Sequence, residues 1–118
     1  MINPQELRIG NLVYGENGLS CKVRKYDFEH TNFDKLYPIT LTPTILEQLG
    51  GKALGDGGYL FKIDGCGIIE WADDGSIAIG DKSDSLLFAT DAVCKYVHEW
   101  QNLIYSLTKK ELQIDSII

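Results

Sequence analysis

What this sequence lacks excludes several classes of protein. No apolar run in its 118 residues approaches the roughly 20 residues that a membrane-spanning helix needs. The opening stretch "MINPQELRIG" has neither a basic flank nor an apolar segment, so we expect no signal peptide and a cytoplasmic location. The hydrophobic share of 44% is ordinary for a globular protein and argues against a disordered chain.

Cysteine is scarce and widely spaced. Cys21, Cys66 and Cys94 form no CxxC pair, and an odd number of cysteines without an expected export signal indicates reduced thiols. A structural zinc site needs four ligands, whereas only Cys94 and His98 lie close together in the sequence. We therefore expect no metal and no cofactor.

Basic residues are scarce relative to acidic ones after the first third of the chain. The net charge is −6; the segment 1–40 holds five basic and five acidic groups, and the rest of the chain holds six basic and twelve acidic groups. Phosphate contacts dominate the affinity of nucleic-acid-binding proteins, which normally carry the opposite sign. Charge therefore argues against a nucleic-acid partner, and any such contact belongs in the segment 1–40.

Catalytic and ligand-binding motifs are also missing. Counted from Asp81, the acidic stretch has Leu86 where a calcium loop needs glycine and Ala92 where it needs glutamate. "GCGIIE" lacks the third glycine of a dinucleotide fingerprint, and "GDGG" lacks the lysine and hydroxyl residue of a phosphate loop. No GxSxG occurs. We therefore expect a protein that is not an enzyme.

The segment 1–40 predicts short, bent strands. "NPQEL" indicates a single helical turn, and "LVYG" a strand. Asn17-Gly18 predicts a type I′ hairpin turn, after which "LSCKVRKYDFEH" returns as a strand. Because the apolar residues change parity near Arg24 and Lys25, we expect a bulge there. With "NFDKLYPI" as a weaker third strand, these segments suit an SH3-like small barrel or a curled sheet.

The remainder predicts a helix, a meander and a second helix. "TPTILEQLGG" is a short helix capped by Thr42, and "KALGDGG" is expected to be a flexible link. "YLFKID", "IIEWA" and "SIAIG" alternate as strands, joined by turns at "GCG" and "DDG". "DKSDS" is predicted as a loop and "LLFA" as a fourth strand. We expect one α+β domain over 1–118, with a strand-rich subregion 1–40 and a subregion 41–118.

The last helix is predicted to begin at Thr90 or Asp91. At about 100° per residue, seven apolar side chains share an arc of about 120°: Val93, Tyr96, Val97, Trp100, Leu103, Ile104 and Leu107. This arc, centred on Trp100, is expected to be a core face that covers the meander.

A second line on this helix consists of Cys94, His98, Gln101 and Tyr105. Three interpretations are open. The N-terminal strands could pack over this flank, with Tyr105 and His98 hydrogen-bonded at the seam. The flank could be a surface for a partner protein. A metal or thiolate site could be built on Cys94 and His98, although no third ligand or orienting acid is evident.

A possible nucleic-acid surface consists of Lys22, Arg24, Lys25 and Tyr26. Basic groups that alternate with aromatic rings on a curled sheet can follow a phosphate backbone and stack bases. The simpler interpretation is a solvated strand face whose aromatic rings turn inward after the bulge.

Three blocks of the sequence resemble a family of small uncharacterised proteins from bacteria, prophages and phages: "ELRIGNLV", "PITLTPTILEQLG" and "YVHEWQNLIYSLTKKEL". Trp100 replaces the usual leucine, Lys109 the usual helix-ending glycine, and Gly51 a frequent aromatic residue. The resemblance implies no catalytic residues. Together with the absence of a convergent catalytic set and the partly apolar second line of the last helix, it leads us to expect a non-enzymatic accessory protein of a phage or mobile element that binds a host or phage protein. The alternative is a nucleic-acid-binding small-barrel module that uses the basic and aromatic strand 22–28.

Overall fold

The computed structural model describes residues 2, 4–29, 35–63, 67–80, 87–110 and 112. Their fold is α+β: a two-stranded sheet, a five-stranded antiparallel sheet and three α-helices, the last of them at the C-terminal end. The described chain divides into two compact units. Unit 1 combines the residues up to Thr40 with those from Tyr96 onward, and unit 2 is the continuous segment Leu41–Lys95. The expected subregion boundary after Thr40 coincides with one boundary between these units.

Unit 1 begins with a 3₁₀ turn over Pro4–Glu6, at the place where the sequence predicts one helical turn. Strands β1 (Leu12–Tyr14) and β2 (Ser20–Lys22) form its two-stranded sheet. A buried apolar cluster holds this part together: Ile2, Leu7, Val13, Val23 and Leu36. Tyr37 adds an isolated bridge to Tyr14, with two backbone hydrogen bonds of 2.9 Å. No closed barrel is found among the described residues, and the N-terminal part of the third predicted strand lies outside them.

The turn between β1 and β2 differs from the predicted one. A type I′ turn needs a positive φ at both Asn17 and Gly18, but only Gly18 has one, at 78°. The amide of Gly18 donates to the carbonyl of Gly15 at 3.0 Å, and the amide of Gly15 donates to the carbonyl of Leu19 at 2.9 Å. The loop is therefore a turn over residues 15–18 that ends in a left-handed glycine, which is the arrangement of longer hairpin loops.

The predicted bulge at Arg24 and Lys25 is wrong, because a helix begins there. β2 ends at Lys22, and α1 spans Lys25–Glu29. The buried Asp27 carboxylate accepts a 2.8 Å hydrogen bond from the backbone amide of Arg24, which satisfies a free donor at the start of the helix. The change of apolar parity therefore marks the passage from strand to helical periodicity.

Unit 2 begins with α2 (Pro43–Gln48), where the predicted cap is confirmed: the Thr42 hydroxyl accepts from the amide of Ile45 at 3.3 Å. The antiparallel sheet follows in chain order: β3 (Lys52–Ala53), β4 (Tyr59–Ile63), β5 (Gly67–Trp71), β6 (Ser76–Gly80) and β7 (Leu87–Val93). The expected flexible link therefore contributes strand β3. The predicted "GCG" turn falls mostly, and the "DKSDS" loop entirely, outside the described residues.

The C-terminal helix α3 spans Val97–Thr108 and begins later than predicted, because β7 continues to Val93. The Glu99 carboxylate accepts from the backbone amide of Tyr96 at 3.1 Å, which fixes the first turn. Trp100 is 1% exposed, so its predicted place in the core is confirmed. The helix belongs to unit 1 and not to the segment that contains the meander.

Candidate functional site

The residues singled out on the last helix hold the N-terminal segment in place. The buried Gln101 side chain bonds to two backbone groups there: its Oε1 accepts from the amide of Leu12 at 2.6 Å, and its Nε2 donates to the carbonyl of Gly10 at 3.3 Å. A buried amide without a partner would be costly, so these bonds make Gln101 part of the fold of unit 1.

Asn102 extends the same connection. Its Oδ1 accepts from Arg8 Nε at 2.8 Å and from Asn11 Nδ2 at 2.9 Å, and its Nδ2 donates to the carbonyl of Glu6 at 2.6 Å. We call the hydrogen-bonded residues Glu6, Arg8, Gly10, Asn11, Leu12, Gln101 and Asn102 the polar clasp. They come from "ELRIGNLV" and "YVHEWQNLIYSLTKKEL", so two of the three blocks in the family resemblance meet in this cluster.

His98 lies buried beside the clasp. It is 1% exposed, its ring stacks on Tyr96 with centroids 5.9 Å apart, and its Nε2 is 3.6 Å from a Glu6 carboxylate oxygen. That distance is too long for a hydrogen bond, and neither ring nitrogen has a hydrogen-bond partner within the described part of the chain. Burial lowers the pKa of His98, and the negative charges of Glu99 and Glu6 oppose this only in part. The expected hydrogen bond of His98 at the seam is therefore wrong.

Tyr105 ends the second line of the helix. It is 38% exposed, and the guanidinium of Arg8 lies 4.3 Å from its ring centroid, within cation–π range. Cys94 precedes the helix and is buried, as are His98 and Gln101. Of the four residues considered as a partner surface, three are therefore covered. The bonds from Gln101 to Gly10 and Leu12 agree with the interpretation that the N-terminal strands pack over this flank.

The basic and aromatic residues of the first third lie on the surface. Lys22, Arg24 and Lys25 are exposed, and Tyr26 is 51% exposed. The Arg24 guanidinium lies 5.3 Å from the ring centroid of Tyr26 and 3.3 Å from the carboxylate of Asp27. Lys25 lies 3.5 Å from the carboxylate of Glu29. Acidic neighbours therefore offset the charges of Arg24 and Lys25.

An open groove of about 860 Å³ borders these residues; its lining consists of Glu16, Asn17, Cys21, Lys22, Arg24, Asp27 and Leu36. Burial raises the pKa of the Cys21 thiol, the charge of Asp27 adds to the rise, and Arg24 opposes it. The thiol is thus protonated at neutral pH, and a protonated thiol is a weak nucleophile. The described residues that line the groove include no histidine, the usual base partner of a nucleophilic cysteine.

Unit 2 offers an uncovered apolar margin. β7 is the last of the described strands in the sheet order and pairs with β6 on one side only. Its residues from Phe88 to Asp91 and Val93 are exposed, with Phe88 at 63% and Val93 at 48%. We call the exposed residues Phe88, Ala89, Thr90, Asp91 and Val93 the β7 margin. Edge strands of this kind are where a further strand can pair.

The strand register shows that Phe88 belongs to an apolar row of side chains. Phe61 pairs with Ile69, Ile69 with Ile79, and Ile79 with Phe88, so these four side chains form one row across a face of the sheet. Phe61 and Ile69 are 1% exposed, Ile79 is half-buried and Phe88 is exposed. The apolar row of the core therefore continues to the edge of the sheet, where it is left uncovered by the described residues.

The pattern of "LLFA" predicts a strand but does not mark Phe88 as a site. The local sequence does not distinguish an apolar residue on a central strand from one on an edge strand, because the position of a strand in the sheet depends on tertiary pairing. The one local signal is the Asp91 that follows, since charged residues are common on edge strands.

Comparison with known proteins adds no assignment: the chain matches no protein-family model, no curated protein and no solved structure. Among the described residues, no group of three or more His, Cys, Asp or Glu is placed to hold a metal ion. No helix in the described part of the chain is long and apolar enough to cross a membrane.

Proposed function

We propose that this chain is a non-enzymatic binding protein whose partner protein docks on the β7 margin. The observation that carries the proposal is the exposure of Phe88, which ends an otherwise buried apolar row on the last of the described strands in the sheet. An apolar side chain exposed on an edge strand offers a pocket contact for a partner that adds a strand to the sheet. The resemblance to phage and prophage proteins supports a cytoplasmic accessory role in which the partner is a host or phage protein.

Site-specific photocrosslinking tests this proposal. A photocrosslinking amino acid is placed at position 88 and, as the matched control, at position 54. Leu54 is also an exposed apolar residue of unit 2, at 43%, but it follows β3 at the opposite edge of the sheet. We expect a discrete crosslinked partner in bacterial cells from position 88 and none from position 54.

A second variant checks that the crosslink reports binding. Phe88→Lys replaces an exposed side chain, so we expect an unchanged melting temperature and loss of the partner in affinity capture, whereas Leu54→Lys retains it. A partner site at the β7 margin would be contradicted if Phe88→Lys and Leu54→Lys recovered the same proteins. Crosslinks of equal strength from positions 88 and 54 would contradict it as well.

The alternative function is nucleic-acid binding at the N-terminal surface of Lys22, Arg24, Lys25 and Tyr26. The exposure of Tyr26 next to Arg24 favours it, because an accessible ring beside a guanidinium is a suitable stacking platform. The carboxylates of Asp27 and Glu29 beside Arg24 and Lys25 argue against it. We therefore rank it below protein binding.

A further inference from the structure

Unit 2 carries nearly all the excess negative charge of the chain. The segment 41–95 contains nine acidic and four basic residues, a net charge of −5 out of −6 for the whole protein. The apolar margin thus lies on the acidic unit. A surface of one sign raises the association rate of partners of the opposite sign and repels those of the same sign.

Carboxylates lie on β7 itself, on the turn that leads into β6 and, two strands away from β7, on β5. Asp91 is an exposed residue of the strand. Glu70 is in register with Ala78, which pairs with Ala89 of β7. Asp74 precedes Ser76, which pairs with Val93, and hydrogen bonds from Ser76 lower the pKa of Asp74, so that it stays ionised. A single basic residue, Lys95, stands two residues after the strand in the sequence and carries the opposite charge.

The backbone of β7 limits how a partner can pair. Leu87, Phe88 and Ala89 are in one-to-one register with Gly80, Ile79 and Ala78, so this segment is regular. Beyond Ala89 the register shifts, because Val93 pairs with Ser76. Thr90 Oγ1 donates to the carbonyl of Ile77 at 2.8 Å and accepts from the amide of Ala92 at 3.1 Å within this irregular stretch. Bulges of this kind hinder strand addition. The regular part therefore offers pairing for a short extended segment.

Charge also decides against a second copy of the chain as the occupant. Two copies docked through β7 would bring together two units whose acidic groups give each of them a net charge of −5. Units with the same sign of charge repel each other, which disfavours their association. An occupant with cationic side chains would instead be attracted by these groups.

We infer that the β7 margin binds a short, extended, basic segment of the partner, which pairs with Leu87–Ala89, covers Phe88 with an apolar side chain and places lysine or arginine beside Asp91. This inference rests on the proposed function and specifies the partner's chemistry. Basic side chains alternating with apolar ones fit a strand, since successive side chains point to opposite faces.

Selection from a displayed library of random peptides, each about ten residues long, tests the inference on the full chain. We expect enriched sequences in which lysine or arginine alternates with valine, isoleucine or an aromatic residue. The best enriched peptide, labelled and titrated by fluorescence anisotropy, is expected to bind Asp91→Lys roughly tenfold more weakly than the unmodified protein. Glu47→Lys on α2 is the matched control, with the same change of charge at another exposed residue of unit 2, and is expected to bind normally.

The outcomes separate the inference from the proposed function. If the enriched peptides are neutral or acidic and their binding is lost on Phe88→Lys, the inference that the partner segment is basic is overturned, whereas the β7 margin stands as the docking site. A crosslink at position 88 with no enriched peptide would indicate a folded partner surface and also overturn the inference. Equal weakening by Asp91→Lys and Glu47→Lys would mean binding by net charge alone. Concentration-dependent self-association lost on Phe88→Lys would assign the margin to a second copy. If no crosslink forms at position 88 and no peptide is enriched, both the proposed function and this inference are contradicted.

Discussion

At the scale of single residues, His98 gives the protein a pH dependence. Burial lowers the pKa of His98 in the folded state. Below about pH 6.5, the ordinary pKa of histidine, the unfolded chain therefore binds a proton more readily than the folded protein does. The contribution of His98 to stability is therefore fully present above about pH 6.5 and is lost as the pH falls towards the lowered value. Glu6 and Glu99 face the ring and limit this loss.

The measurement is urea unfolding at several pH values between about 5 and 8, with His30→Gln as the background so that His98 is the only histidine. We expect the free energy of unfolding to fall on acidification, and His98→Leu to flatten that dependence. Parallel pH profiles for the two proteins would show that His98 is not the group responsible.

Lys109 ends α3 in a conformation that suits glycine. Its φ of 60° and ψ of 19° are left-handed, and its amide donates to the carbonyl of Tyr105 at 2.7 Å. A side chain costs about 1 kcal/mol in this region, so Lys109→Gly is expected to stabilise the protein by about that amount in chemical denaturation. Lys110→Gly is the control: its φ is not positive, and no gain is expected. A Lys109→Gly variant less stable than the parent would contradict this account.

At the scale of elements, the polar clasp joins α3 to the segment before β1. Gln101→Leu keeps the side chain's size but leaves the amide of Leu12 and the carbonyl of Gly10 without their partners. Each unsatisfied buried group costs about 1–3 kcal/mol, so we expect a loss of roughly 2–4 kcal/mol in urea unfolding. Ser106→Ala, at an exposed position of the same helix, should change stability little. A similar small change for both variants would mean that the clasp is not needed.

The contact between the end of α2 and β4 leaves no room for a side chain at Gly51. A Cβ atom there would lie 2.7 Å from the Phe61 ring and 2.8 Å from the carbonyl oxygen of Leu46. Overpacking of this kind typically costs about 1–3 kcal/mol, and we expect Gly51→Ala to lose that much stability in thermal unfolding. Gly51→Ala in a Phe61→Leu background should lose less. An equal loss in both backgrounds would point to a cause other than the ring.

Elements with their own local signals could be predicted from the sequence, namely α2 with its Thr42 cap and the alternating strands β4 to β6. The boundaries of β7 and α3 could not, since Val93 and Tyr96 fit the helical spacing although Val93 continues a strand. The polar clasp was also beyond local patterns, because its partners come from opposite ends of the chain. The bond from Gln101 to Leu12, for example, has a sequence separation of 89.

At the scale of the whole molecule, the net charge argues against a nucleic-acid partner. The chain carries a net charge of −6, and acidic neighbours offset Arg24 and Lys25. Because nucleic-acid affinity comes largely from phosphate contacts, we expect no retention of single-stranded RNA or DNA in a gel shift at moderate salt. Micromolar binding that disappears on Arg24→Glu would reverse the ranking of the two functions.

The discontinuity of unit 1 has a consequence for biosynthesis. Its N-terminal part is synthesised before the continuous segment Leu41–Lys95, and the residues from Tyr96 onward are synthesised after that segment. The segment before β1 and β1 itself can therefore bind Gln101 and Asn102 only after these two residues have been synthesised, by which time the described strands of unit 2 are complete. A premature stop codon before Tyr96 would release a polypeptide in which the N-terminal part of unit 1 lacks Gln101 and Asn102, its hydrogen-bond partners in the folded protein.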